Sequence, residues 1–96
     1  MNSRLDGTFL LTATEVLRAI AHPVRIAIID LLSQHEKLAV KEIHEALDIG
    51  QAVVSHHLRI IKDRGVVEAT RDGKNTFYSL KSKEYQQVIN TLETVL

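Results

Sequence analysis

Two short amphipathic segments separated by a brief turn constrain the fold of this chain more than any other feature. The first places Val40, Ile43 and Leu47 at the spacing of three and four residues that marks one face of a helix, and it ends near Asp48. A second helical pattern begins at Gln51, about three residues later. Two short helices joined by so few residues form a helix-turn-helix pattern.

The spacing of the apolar residues changes from helical to strand-like after Gly65. Residues 66–71 and 76–80 are rich in β-branched and aromatic side chains, which favour strands. Asp72-Gly73 lies between them and is a strong hairpin signal, because a tight primed turn needs positive φ. We therefore predict a β-hairpin directly after the helix-turn-helix.

Two helices are predicted before this unit. Thr12 and Glu15 fit a capping box, in which each side chain bonds to the other's backbone amide, so the first helix should cover residues 13–21. Pro23 suits the first turn of a second helix, where its missing N–H has no partner in any case. Residues 24–32 are apolar around most of the helix, which indicates the central helix of the core.

The chain ends in a predicted helix from about Ser82 whose apolar stripe is Tyr85, Val88, Ile89, Leu92, Val95 and Leu96. The complete order is α-α-α-α-β-β-α. We predict one mainly α domain over residues 1–96 with a small β-hairpin, which is a winged helix-turn-helix.

Composition limits the possible functions. The chain has no cysteine, so disulfides, thiolate metal sites and a cysteine nucleophile are excluded. No stretch approaches the roughly 20 apolar residues of a membrane span, so we expect a cytoplasmic protein with no membrane partner. The formal net charge is zero, but residues 51–75 carry five basic and three acidic groups, which predicts a localised basic surface.

The helix that begins at Gln51 has two distinct faces when successive residues are placed about 100° apart. The inner face carries Val54, His57, Leu58 and Ile61. The outer face carries Ala52, Ser55, His56, Arg59 and Asp63. Such a helix is long enough to lie in a major groove and read base edges, but an ordinary helix with a solvated polar face has the same pattern.

The hairpin favours nucleic acid over a merely solvated helix. Arg71 and Lys74 flank its predicted tip, where cations would follow a phosphate backbone, although charge is also common at hairpin tips. We predict double-stranded DNA as the partner, contacted by Gln51, Ala52, Val53, Ser55, His56, Arg59, Arg71 and Lys74.

Three stretches resemble the ArsR/SmtB family of winged-helix repressors. IAHPVRI followed by IDLL, within residues 20–32, is similar to the family's opening signature. QAVVSHHL at residues 51–58 resembles its recognition helix, and residues 65–80 resemble its wing. The likeness extends over about residues 14–80. It implies a homodimeric bacterial repressor that binds an operator near its own promoter and that an inducer releases.

The chain departs from the family pattern at several positions. His44 replaces a usual small residue, Asp48 replaces the turn glycine, and Gly50 replaces the capping serine; none of these should remove the fold. The paired cysteines that many members carry are absent from residues 38–43, and residues 82–96 contain neither aspartate nor histidine. Metal response therefore does not carry over, and the inducer is unknown.

The histidines do not form a recognisable metal or catalytic site. His56 and His57 are adjacent and about 100° apart, so they cannot chelate one ion as an i, i+4 pair would. We predict that His57 packs inward, that His44 is partly buried and that His22 begins a helix. No cofactor is expected, and a hydrolase is the poorest candidate because no carboxylate is evident to orient His56 beside Ser55.

The apolar residues at both ends of the chain predict a homodimer. A domain this small has little core to receive the whole final stripe, which would otherwise be an exposed patch. We assign to the interface Phe9, Leu10, Tyr85, Val88, Ile89, Leu92, Val95 and Leu96. Two recognition helices would then meet half-sites about 34 Å apart, so the operator should be an imperfect palindrome. The alternative is a protein-interaction module that uses the same stripe and wing without binding DNA.

Overall fold

Five helices and three strands make up the chain in the computed structural model, which describes residues 1–96. In chain order they are α1 (Gly7–Ile20), α2 (Pro23–Ser33), β1 (Leu38–Ala39), α3 (Val40–Leu47), α4 (Gln51–Asp63), β2 (Val67–Asp72), β3 (Asn75–Leu80) and α5 (Tyr85–Val95). The strands form one antiparallel sheet in the order β1-β3-β2. The predicted order is confirmed, with β1 as an addition.

Helix α2 lies at the centre of the core, as its apolar sequence predicts. Ile28, Ile29 and Leu32 are buried, and α2 packs against α4, α5 and β3. The core draws on nearly every element and consists of Ile20, Ile28, Ile29, Leu32, Leu38, Ile43, Val54, Leu58, Ile61, Val66, Val67 and Ile89. Burial of each large aliphatic side chain stabilises the fold by roughly 1.5–3 kcal/mol.

The start of α1 differs from the prediction. The helix begins at Gly7, because the Asp6 carboxylate accepts hydrogen bonds from the backbone amides of Thr8 (3.1 Å) and Phe9 (3.4 Å). A carboxylate is among the best helix N-caps. Its negative charge also interacts favourably with the positive end of the helix dipole. The capping box predicted at Thr12 is therefore wrong, and Thr12 lies inside the helix.

Helices α3 and α4 form the predicted helix-turn-helix. The turn depends on Asp48, which adopts the left-handed conformation (φ 53°, ψ 48°) that aspartate tolerates better than most residues. Its backbone N–H donates back to the carbonyl of Glu45 at 3.3 Å. Gly50 then caps α4 without a side-chain hydrogen bond, so the turn forms without the glycine and serine that are usual in the ArsR/SmtB family, which the sequence resembles.

Strands β2 and β3 form the wing, with Val67 opposite Leu80 and Asp72 opposite Asn75. The two turn residues are thus Gly73 and Lys74, one position later than the predicted Asp72-Gly73 tip. Gly73 has φ +63°, which a residue with a side chain rarely adopts. The unpredicted strand β1 pairs with the middle of β3, with Leu38 opposite Tyr78 and Ala39 opposite Phe77.

Helix α5 begins later than the predicted start near Ser82. The Ser82 hydroxyl accepts a hydrogen bond from the Glu84 amide (3.2 Å) and forms a turn that precedes the helix. Only Ile89 of its apolar stripe is buried, and it contributes to the core of its own chain. The other residues of the stripe are exposed or half-buried.

Candidate nucleic-acid interface

The recognition helix α4 is fixed on the domain by its inner face. Val54, Leu58 and Ile61 have no exposed surface, and they pack against residues of α2, α3 and β2. Because these side chains recur every three or four residues, one side of the helix is anchored along its length. The opposite side is thereby directed outward.

His57 completes the inner face through a polar contact. The residue is 7% exposed, and Nδ1 of its ring accepts a 3.1 Å hydrogen bond from Nε of Arg25. The ring centroid lies 4.3 Å from that of His22, which caps α2 by accepting a hydrogen bond from the Val24 amide. Burial, followed by the charges of His22, Arg25 and His56, holds the pKa of His57 below its ordinary value. The predictions for His57 and His22 are confirmed.

The outer face of α4 presents polar side chains that have no partner within the chain. None of Gln51, Ser55, His56 or Arg59 makes an intramolecular side-chain hydrogen bond or ion pair. All of the predicted contact residues on this helix are exposed, namely Gln51, Ala52, Val53, Ser55, His56 and Arg59. Unpaired donors on a rigid helix are suited to base edges and phosphates.

The wing brings further cations to the surface. Arg71 and Lys74 are both exposed, as predicted. Arg71 Nε donates a 3.2 Å hydrogen bond to the carbonyl of Gly73, which holds the guanidinium along the turn. Lys74 occupies the second turn position and makes no such bond. The acidic residues Glu68 and Asp72 are also exposed on β2, so the wing is not uniformly basic.

The two ends of the chain meet on another surface. Phe9 of α1 lines one groove of about 570 Å³ together with Tyr85 and Val88 of α5. Beyond that groove the predicted interface residues Leu92, Val95 and Leu96 are 43%, 69% and 97% exposed. Leu10 and Tyr85 are half-buried, whereas Ile89 belongs to the core.

No group of three or more histidine, aspartate or glutamate side chains is placed to hold a metal ion. His35 is exposed in the loop after α2, and His44 is half-buried on α3. No helix combines the length and apolar character needed to cross a bilayer.

A helix-turn-helix with an exposed polar recognition face, followed by a two-stranded wing, defines a winged helix-turn-helix domain. The chain belongs to the arsR family of bacterial regulatory proteins, whose family model matches residues 22–69. The matched region runs from the N-cap of α2 through the helix-turn-helix into β2, so it contains the α4 surface described above.

Individual relatives agree with this assignment. The HTH-type transcriptional repressor SmtB of Mycobacterium tuberculosis is 40% identical over 77 residues, which are 80% of this chain and 56% of that protein. The chain thus spans about half the length of that relative. The transcriptional repressor PagR of Bacillus anthracis is 34% identical over 82 residues, covering 84% of this chain and 81% of the relative.

Solved structures show the same fold. The PagR crystal structure matches with a TM-score of 0.82 at 30% identity, over 91% of this chain and 99% of that one. A homodimeric winged helix-turn-helix DNA-binding domain from Mycobacterium bovis, solved by NMR, matches with a TM-score of 0.82 at 28% identity. That match covers 98% of this chain and 86% of the other.

Three residues near these surfaces were not found by sequence reasoning. Arg25 supports His57 from a position 32 residues earlier, a distance over which periodicity carries no signal. Lys62 is exposed on α4, about 60° from Arg59 around the helix, and a complete helical projection would have included it. Leu17 is 55% exposed on α1 and was assigned to no interface.

Proposed function

We propose that this chain is a sequence-specific, homodimeric DNA-binding repressor. The observation that carries the proposal is the contrast between the two faces of α4. The inner face is buried and its one polar group, His57, is bonded, whereas the outer polar groups are exposed and unpaired. Relatives that are named transcriptional repressors support the same function.

In this proposal α4 enters the major groove from its N-terminal end. Ala52 is small and lets the backbone approach the bases, while Ser55 and His56 can bond to base edges or phosphates. Arg59 can donate two hydrogen bonds to guanine, which is the most common specific contact of arginine. Gln51 lies at the groove mouth, and Val53 can contact a thymine methyl group.

The wing supplies contacts that do not depend on sequence. Lys74 and Arg71 follow the phosphate backbone beside the groove, where each neutralised phosphate strengthens binding and increases its dependence on salt. The exposed Glu68 and Asp72 limit this attraction to the wing turn. The wing therefore adds only a few phosphate contacts to the affinity for DNA, and discrimination between DNA sequences depends on α4.

The dimer joins the exposed apolar surfaces of α1 and α5 about a two-fold axis. Covering Phe9, Val88 and Leu92 removes from water an apolar patch that a monomer would expose. The homodimeric state of the Mycobacterium bovis domain supports a dimer, and the exposed apolar residues support this surface as its interface. A two-fold dimer would read an imperfect palindrome with half-sites about 34 Å apart.

The decisive experiment is a gel-shift titration against the DNA upstream of the gene that encodes the chain. A shuffled duplex of the same length and composition serves as the control, and both are titrated at two salt concentrations. We expect tighter binding to the upstream DNA at both salts. Equal affinity for the two duplexes would reject sequence-specific binding, and no binding to either would favour the protein-interaction alternative.

A further inference from the structure

A pocket lined by three arginines lies behind the recognition helix. Its wall is contributed by α1, α2 and α4, and the residues that line it are Glu15, Arg18, Ala19, Arg25, Ile60 and Arg64. We call it the arginine pocket. It is an open depression with a volume of about 270 Å³. Pockets for drug-sized ligands begin near 300 Å³, so this one suits a small ion or a metabolite of few atoms.

The arginine pocket has a positive formal charge, although the formal net charge of the whole protein is zero. Three guanidinium groups face one carboxylate, that of Glu15, so the formal local charge is +2. Glu15 bonds to Arg64 at 2.9 Å, and about half of each side chain is exposed. Arg18 has no ion pair or hydrogen bond that would balance its charge.

Arg25 is held in place at the pocket by two hydrogen bonds. Nε donates to His57 Nδ1 at 3.1 Å, and Nη1 donates to the Ala19 carbonyl at 3.0 Å. A guanidinium carries five N–H donors, so three remain without a partner in the chain. A half-buried guanidinium fixed in orientation loses little entropy when it binds an oxyanion.

The arginine pocket lies on the flank of α4 that faces α1, away from the proposed DNA surface. Residues of an α-helix are about 100° apart, so Ile60 and Arg64 point about 100° and 140° away from Arg59. The flat backbone of a DNA duplex lying against Arg59 would not enter a depression on this flank. A small free anion is the ligand that fits both the place and the volume.

We propose that the arginine pocket binds a small oxyanion, meaning a free phosphate or a carboxylate of few atoms. Arg18 and Arg25 contact its oxygens, and Arg64 exchanges its bond to Glu15 for one to the ligand. This binding does not depend on the proposed operator. The bound oxyanion lies against Arg64, the C-cap residue of α4, and against Arg25, which donates a hydrogen bond to His57 of α4. The ligand therefore contacts two residues that help to hold the recognition helix in place.

The test is an NMR titration of the whole chain with inorganic phosphate in the absence of DNA. Sodium chloride at matched ionic strength corrects for general screening. We expect saturable shifts of the Ala19, Ile60 and Arg64 amides. Arg18→Gln should raise the Kd for phosphate about tenfold, since a charge-assisted hydrogen bond is lost. Arg18 bonds to nothing in the chain, so this variant should keep its fold.

Arg4→Gln is the matched control, because Arg4 is exposed and lies outside the pocket. It should leave the phosphate Kd unchanged. Shifts no larger than those caused by sodium chloride, or equal Kd values for the two variants, would overturn the proposal. A loss of DNA affinity by Arg18→Gln in phosphate-free buffer, equal to its loss of phosphate affinity, would assign the pocket to the DNA backbone and also overturn it. Because the titration contains no DNA, failure of the repressor proposal leaves its result readable.

Discussion

Nε of Arg25 donates a 3.1 Å hydrogen bond to Nδ1 of His57 and so joins α2 to the inner face of the recognition helix. The bond requires the neutral ring, because protonation of Nδ1 removes the acceptor and places an imidazolium beside a guanidinium. His22 stacks near the same ring at 4.3 Å between centroids. This contact between α2 and α4 is therefore sensitive to pH.

We predict that the protein loses stability as the pH falls below about 6.5. The pKa of His57 is lowered by burial first and then by His22, Arg25 and His56, so the unfolded chain binds this proton more readily than the native state. The free energy of unfolding then decreases from about pH 6.5 down to the lowered pKa, by at most about 1.4 kcal/mol per pH unit. Urea unfolding across this range measures the slope.

Two histidine variants separate the effect of His57 from other titrations. His57→Gln removes the titrating group, and we expect its stability to vary less with pH than that of the wild type. His35→Gln changes an exposed loop residue and should keep the wild-type slope. If the His57 and His35 variants have the same slope, the pH dependence arises elsewhere.

Core packing beneath α4 gives a second prediction. Leu58 is fully buried, so Leu58→Ala should lower the free energy of unfolding by about 2–5 kcal/mol through lost burial and a residual cavity. Leu11→Ala, at a position that is 71% exposed, should change it by less than about 0.5 kcal/mol. Urea unfolding of both variants at one protein concentration makes the comparison. If Leu58→Ala lowers the free energy of unfolding by less than Leu11→Ala does, the assignment of Leu58 to the core is contradicted.

Local rules predict much of this fold and of its recognition helix. Helical spacing assigns His57 inward and His56 outward, and both positions are found. The tolerance of aspartate for left-handed backbone correctly predicts that the turn at Asp48 forms. These features depend on residues within one helical turn of each other, so the sequence pattern contains the needed information.

Other features depend on which of several possible local structures forms, or on contacts between residues far apart in the chain. The spacing of residues in the sequence reveals neither. The prediction considered only Thr12 as the cap of the first helix, whereas the carboxylate of Asp6 caps α1 almost two turns earlier. Strand β1 has two residues, too few to show a period, and exists because β3 offers it an edge. The bond between Arg25 and His57 requires the packing of α2 on α4.

The proposed dimer gives a third prediction. Leu92→Asp places a charge on the exposed apolar stripe of α5, where Leu92 is 43% exposed, and should convert the dimer to a monomer because the carboxylate would be desolvated. Leu11→Asp is the control, since Leu11 points about 160° away from Phe9 on α1. Sedimentation equilibrium at micromolar concentration measures the mass. A monomeric wild type, or a dimeric Leu92→Asp variant, would refute the interface.

The last prediction concerns the different roles proposed for α4, which contacts bases, and for the wing, which contacts phosphates. Arg59→Ala should cost about 1–3 kcal/mol against the best binding sequence and relax the preference at one base pair, because a contact to a base edge is lost. Lys74→Ala should weaken binding to all sequences similarly and reduce the salt slope by about one. Fluorescence anisotropy with the upstream duplex and single-base variants, at several salt concentrations, separates these outcomes. Lys83→Ala, an exposed cation beyond the wing, should leave both the preference and the slope unchanged. If Arg59→Ala weakens binding to upstream and shuffled DNA equally, Arg59 contacts phosphate and specificity lies with Ser55 or His56.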